Sequence, residues 1–345
     1  MAYTEISRKQ FDFLLRDDVT AEEAVAYLKT DFTIRKFSDV LKRVYAGDDL
    51  EQRLTEEFGS RKNVQNWTRN RNLPTNREQV FRIAFALELT EYEADELLSF
   101  VFGDGIHYRN ERELLFAFAL KNHQTYAAAV SSFELLQERK NNPDTESVLT
   151  TQNLRLAFSD LPPEADYMQF MMDHQGSFGT LHNTAYRYFM NMLSFLEDID
   201  ESGEVYSTEY ICDSYLRMGV PTGRQLSDYD TIQKIVKKYW PGVRSIKAMK
   251  VRREDVSRKT LILLYLVTGG IREQSYNEED EDYISAEKLL LGNLARIDQM
   301  LTECGMRNID PSNPFDFLVL YCLKTENEDS MSERMEEALA ILFGE

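Results

Sequence analysis

The sequence lacks an apolar run long enough to cross a bilayer: its longest, LILLYLV at 261–267, falls far short of the roughly 20 residues a spanning helix needs. The opening stretch MAYTEISRKQFDFLLRDD is charged and has no apolar signal region, so a cytoplasmic protein is expected. Cysteine is scarce. Cys212, Cys304 and Cys322 are scattered without a CxxC pair, which argues against a disulfide framework or a zinc finger and reads as buried thiols in a reducing compartment. Proline is also sparse, as suits a helical protein. Positive charge is in deficit, 40 Lys and Arg against 59 Asp and Glu, a net charge of −19. That excludes a generic nucleic-acid coat, but not a protein whose positive charge is gathered in one place.

What is present is helical patterning. Hydrophobic residues make up 43% of the chain, enough for a packed core. Thr20 with Glu23, Thr75 with Glu78, Thr90 with Glu93 and Ser330 with Glu333 each fit the S/T-x-x-E capping box that opens a helix. Apolar residues come after them at three-to-four spacing, as in Val80, Phe81, Ala84, Phe85 and Leu87, while period-two runs are scarce. An all-α fold is expected, broken at 141–147, 160–166, 197–204 and the acidic run 275–283, which reads as an exposed loop.

Residues 49–98 are the most informative. Leu50, Leu54 and Phe58 line one face of a short helix, Gly59 permits a sharp turn, and Ser60 can cap a second helix running to about Arg69 with Val64 and Trp67 inward. The outward residues are Arg61, Lys62, Asn63, Gln65, Asn66 and Arg69, side chains able to hydrogen-bond base edges and phosphates. Two short helices joined at a glycine turn are the geometry that places the second in a major groove.

At these residues the chain resembles the lambda-repressor/Cro-like (XRE) helix-turn-helix family, through Val64, Trp67, Pro74, Glu78, Ile83, Ala84, Ala86, Leu87 and Leu97. The resemblance covers about residues 34–101. Two features depart from the family pattern: Asn70 stands where a glycine is usual, and the acidic Asp49-Leu50-Glu51-Gln52 replaces a Gln-rich helix opening. The resemblance implies a lambda-repressor-like helix-turn-helix domain that binds double-stranded DNA; the helical patterning of the rest of the chain leads to the expectation of a C-terminal helical domain after it.

Setting the chain over itself yields a candidate second, degenerate copy of that unit. Residues 58–87 laid over 240–269 bring Trp67 onto Met249, Arg71 onto Arg253, Thr75 onto Ser257 and Arg77 onto Lys259. Residues 94–120 laid over 297–323 match Leu98 with Leu301, Ile106 with Ile309, Asn110 with Asn313, Leu115 with Leu318 and Leu120 with Leu323. Chance agreement between two amphipathic stretches is the competing explanation. Local charge favours a nucleic-acid face: Arg61, Lys62, Arg69, Arg71, Arg77 and Arg82 face only Glu78 within 59–82. Ten Lys and Arg within 234–259 face only Glu254 and Asp255.

The expected organisation is a helical arm (1–33), the helix-turn-helix domain (34–125), a helical connector (126–206) and a C-terminal helical domain (207–345). The expected function is sequence-specific binding of double-stranded DNA, as a transcriptional regulator without enzymatic activity or cofactor. Arg61, Lys62, Asn63, Gln65 and Asn66 would read bases, and Arg69, Arg71 and Arg77 would hold phosphates. Arg244, Lys247, Lys250, Arg252, Arg253, Arg258 and Lys259 would add affinity from the second copy. The alternative is a non-enzymatic adaptor of a defence or prophage system that reuses the fold to bind a protein, with the acidic helical body as the partner surface. A homodimer fits either reading.

Other motifs weigh less. Asp198, Asp200, Ser202, Gly203, Val205 and Glu209 have the spacing of an EF-hand calcium loop, but no second loop pairs with it, and a solvated acidic connection is the commoner use of such a stretch. His174 and His182 lack zinc spacing, and Ser177 lacks a G-x-S-x-G elbow.

Overall fold

The structure is a computed structural model. It describes residues 5–16, 19–139, 149–162, 165–179, 181–197, 206–222, 229–269, 285–325 and 330–344. These form nineteen α-helices and no strand, the all-α class expected. No helix among the described residues is long and apolar enough to cross a membrane.

The chain divides into two compact units. The first comprises Arg35–Thr180 with Gly305–Arg307, and the second Met1–Ile34, Leu181–Cys304 and Asn308–Glu345. Two helices come from the amino-terminal segment of the second unit, α1 (Glu5–Leu14) and α2 (Ala21–Thr30). The first unit then contributes α3 (Phe37–Val44), α4 (Leu50–Phe58), α5 (Arg61–Thr68), α6 (Arg77–Ala86), α7 (Glu91–Phe102), α8 (Glu111–Lys121), α9 (Tyr126–Arg139), α10 (Thr151–Ser159) and α11 (Tyr167–Asp173). The second unit resumes with α12 (Asn183–Leu196), α13 (Thr208–Ile211), α14 (Thr231–Lys237), α15 (Val243–Lys250), α16 (Arg258–Thr268), α17 (Ala286–Glu303), α18 (Pro314–Cys322) and α19 (Met331–Phe343).

Three of the four expected capping boxes open helices: Thr20 with Glu23 at α2, Thr90 with Glu93 at α7, and Ser330 with Glu333 at α19. The fourth is displaced by one residue. Asn76 caps α6 by accepting the Gln79 N–H at 2.9 Å. Thr75 instead donates its N–H to the Gln79 side chain, and Glu78 is taken by Arg112 and the Tyr126 hydroxyl.

Each unit is built round a helix that is apolar on nearly every side, the mark of a core helix. In the first unit this is α8, buried from Glu113 to Leu120. In the second, α18 is buried along its whole length, and α16 carries the run Leu261–Leu266 in the core. Each such side chain removed from water contributes about 1.5–3 kcal/mol.

The unit boundaries differ from those expected at 33/34, 125/126 and 206/207. Residues beyond 125 stay with the first unit because α10 and α11 cover α8. Phe118 stacks on Tyr167 at 4.3 Å, and the Lys121 Nζ donates to the Ser159 and Leu161 carbonyls at 3.1 and 2.8 Å. The supposed arm is the matching cover of α18. Phe13 stacks on Tyr27 at 4.1 Å, Tyr27 on Phe317 at 5.6 Å, and Lys324 donates to the Arg16 carbonyl. A pairing across some three hundred residues leaves no local trace in sequence.

Helices α5–α8 and α15–α18 repeat one local frame. The equivalent α5 and α15 each span eight residues, and each ends at a left-handed residue, Asn70 and Arg252, both with φ of 56°. After it the Arg71 N–H donates to the Asn66 carbonyl and the Arg253 N–H to the Ala248 carbonyl, both at 2.8 Å. Asp95 accepts the Ile106 N–H at 2.7 Å, and Asp298 accepts the Ile309 N–H at 2.8 Å. Asn110 caps α8 as Asn313 caps α18. Arg77 clasps Glu113 and the Gly105 carbonyl, while Arg258 clasps Asp316 and the Asn308 carbonyl. These bonds correct the sequence overlay by one residue: the caps are Asn76 and Ser257, so Arg77 matches Arg258 and not Lys259.

Candidate nucleic-acid interface

The candidate site is the outer flank of α5, and three local features set its position. Leu54 and Phe58 of α4 turn inward, and the Phe58 ring meets Trp67 edge-on at 4.9 Å. Gly59 then closes α4 at φ 62°. A Cβ there would meet nothing within 4 Å, so backbone conformation and not space demands glycine. Ser60 caps α5 by accepting the Asn63 N–H at 3.4 Å. With Val64 0% and Trp67 4% exposed, the rotation of α5 is fixed and its other side must face out.

Arg61, Lys62, Asn63, Arg69 and Arg71 are exposed, and Gln65 and Asn66 are half-buried. Arg61, Lys62, Arg69 and Arg71 form no ion pair with any described residue. The outer flank of α5 therefore offers Arg61, Lys62 and three amides along little more than two helical turns, with Arg69 and Arg71 just beyond its end.

Asn70, at the end of α5, has a structural role. Asparagine tolerates the left-handed region, and here its side chain accepts the Ser38 N–H at 2.9 Å and donates to the Ser38 hydroxyl at 2.7 Å. That ties the end of α5 to the start of α3. The acidic opening of α4 is also partly engaged. Asp49 accepts from Tyr45 at 2.5 Å and Arg53 at 2.9 Å, which lowers its carboxyl below the usual range, and Glu51 accepts the Thr68 hydroxyl at 3.0 Å.

Other residues expected to touch phosphates serve the fold. Arg77 is fixed on Glu113 at 2.6 and 2.8 Å and on Asp104 at 2.7 Å. Burial works against its charge, but the two carboxylates outweigh burial and raise its pKa. Arg258 is held by Asp316, whose side chain is 3% exposed. Lys259 donates to the Val236 and Lys238 carbonyls at 2.7 and 2.6 Å and lies over the Phe315 ring at 4.4 Å; burial pulls its amine down to about 7. Lys247 pairs with Glu209 and Lys250 with Glu197. Arg252 bonds Asn183 at 2.5 Å and covers the Tyr186 ring at 4.6 Å. Arg244 and Arg253 are exposed and pair with no described residue. The signal for the internal arginines was their place at a helix start, upstream of a carboxylate in a later helix; the partner itself could not be read locally.

Of the calcium-loop residues, Asp198, Asp200, Ser202, Gly203 and Val205 lie outside the described residues, as does the acidic run 275–283. Ser177 is buried, and its hydroxyl accepts the Leu149 N–H at 2.9 Å. His174 packs against Phe170 in the first unit, and His182 donates its N–H to Asp255 in the second. Comparison with protein-family models, curated proteins and solved structures yields no match.

Proposed function

We propose that the chain is a sequence-specific double-stranded DNA-binding protein, a transcriptional regulator, in which α4 and α5 act as a helix-turn-helix and α5 enters the major groove. The observation that carries this reading is the outer flank of α5, where Arg61 and Lys62, with no ion-pair partner among the described residues, stand beside three amides, turned outward by the burial of Val64 and Trp67. Arginine and lysine match guanine O6 and N7, and the amides of Asn63, Gln65 and Asn66 match adenine N6 and N7. Arg69 and Arg71, beyond the helix, are placed for phosphates, while the internal pairing of Arg77 removes it from that set. The net charge of −19 confines attraction to such local faces and orients the molecule on a polyanion.

The test is a salt-titrated gel shift of the full chain on genomic fragments, beside Arg61→Ala/Lys62→Ala. The reading expects binding that falls steeply with salt and is lost in the double variant. Equal binding by both proteins overturns the assignment of α5. The rival is a protein-binding adaptor, favoured by the acidic surplus and by Asp49 and Glu51 at the start of α4. It expects no shift even at low salt.

A further inference from the structure

The second unit keeps the frame of α5–α8 while its surface differs. The frame is kept in detail: the left-handed residue after the second helix, the aspartate that accepts an isoleucine N–H, the asparagine cap, and the arginine clasped by a carboxylate and a carbonyl. Amphipathic helices agree by chance in spacing. They do not agree by chance in which backbone N–H each carboxylate receives.

On α15 the positions of the three amides are taken by Ser245, Lys247 and Ala248. Ser245 is absorbed by its own helix start, where its hydroxyl accepts the Gly242 N–H at 3.0 Å and donates to the Gly242 carbonyl at 2.9 Å. Lys247 is bound to Glu209, and Ala248 has no polar side-chain atom. Val251, 61% exposed, stands where Arg69 does. No side chain at these positions can make the two-pronged contact that distinguishes adenine. The cations at Lys62 and Arg71, however, have counterparts in Arg244 and Arg253, both exposed and paired with no described residue.

We infer that α15–α18 is a duplicate of α5–α8 that binds duplex DNA through Arg244 and Arg253 and has lost the readout of adenine. This rests on the reading of α5 as a DNA-binding helix. Cations that neutralise phosphate add affinity on any sequence, while only α5 carries the amides that single out adenine, so the second unit contributes affinity and α5 contributes that selectivity.

The experiment uses the full chain with two duplexes of equal length, one selected from a random library and one scrambled. Arg244→Ala/Arg253→Ala is compared with wild type and with Arg61→Ala/Asn63→Ala. The inference expects the first variant to weaken both duplexes, with the slope of log K against log salt shallower by about 2. It expects Arg61→Ala/Asn63→Ala to lose the preference for the selected duplex. An unchanged slope in Arg244→Ala/Arg253→Ala overturns the inference, as does a loss confined to the selected duplex; the α5 reading survives either. Failure of wild type to bind any duplex at low salt overturns the α5 reading itself, and the inference with it. Both changes are on exposed side chains, and far-ultraviolet circular dichroism checks that each variant is folded.

Discussion

Helices α5 and α15 have one backbone plan and two surfaces. Both end at a left-handed residue with φ of 56°, and both units close on an arginine clasped by a carboxylate of a later helix. Yet α5 displays amides and cations that pair with no described residue, whereas α15 has Lys247 and Lys250 neutralised by Glu209 and Glu197. A frame is held by buried hydrogen bonds and packing, which tolerate little change. A surface is free to change because most exposed substitutions cost within about 0.5 kcal/mol.

The comparison breaks first at the frame. Arg258→Ala leaves the Asp316 carboxylate buried without its cation and is expected to cost about 3–5 kcal/mol in denaturant unfolding, with Arg77→Ala close behind through Glu113. If only one of the two destabilises the protein, the frames are not equivalent.

Exchanging the left-handed residues sharpens it. Asn70→Arg loses two hydrogen bonds to Ser38 and is expected to cost about 2 kcal/mol by thermal melting. With the register corrected, Glu78 matches Lys259, so the units should differ in pH response. Burial lowers the folded amine to about 7 from its ordinary 10.5, although Asp316 opposes this. Between those values the unfolded chain binds the proton that the folded chain lacks, so stability rises as pH increases from 7 toward 10. The expected slope is about 1 kcal/mol per pH unit, and Lys259→Met should flatten it; a wild-type stability that does not change over that range refutes the lowered amine. The smallest effect is Arg252→Asn, which exchanges a contact with Tyr186 for a residue suited to the left-handed region. It is expected to stay within about 0.5 kcal/mol, and a larger loss would mean that Arg252 holds α15 as Asn70 holds α5.

Much of this frame was legible in sequence where the physics is local. Thr20, Thr90 and Ser330 cap helices because hydroxyl and carboxylate sit three residues apart on their own chain. Val64 and Trp67 face inward because helical spacing puts them on one side. The cap of α6 lies one residue beyond the expected Thr75 because Thr75 and Asn76 are both capable, and the choice falls to Arg112 and Tyr126, which occupy Glu78 from later helices. That single residue then shifted Arg77 from its true counterpart, Arg258, onto Lys259.

A basic stretch in sequence does not show which cations are spent internally. Arg77, Arg82, Arg258 and Lys259 all are, on Glu113, Glu57, Asp316 and two carbonyls respectively. The sequence alone determined the all-α class, the turn at Gly59 and the outward direction of Arg61, Lys62 and Asn63, because each depends on neighbours within one or two helical turns. Only tertiary structure decided that α1 and α2 cover α18, and which arginines remain open to solvent. Those outcomes depend on burial and carboxylate partners tens to hundreds of residues away.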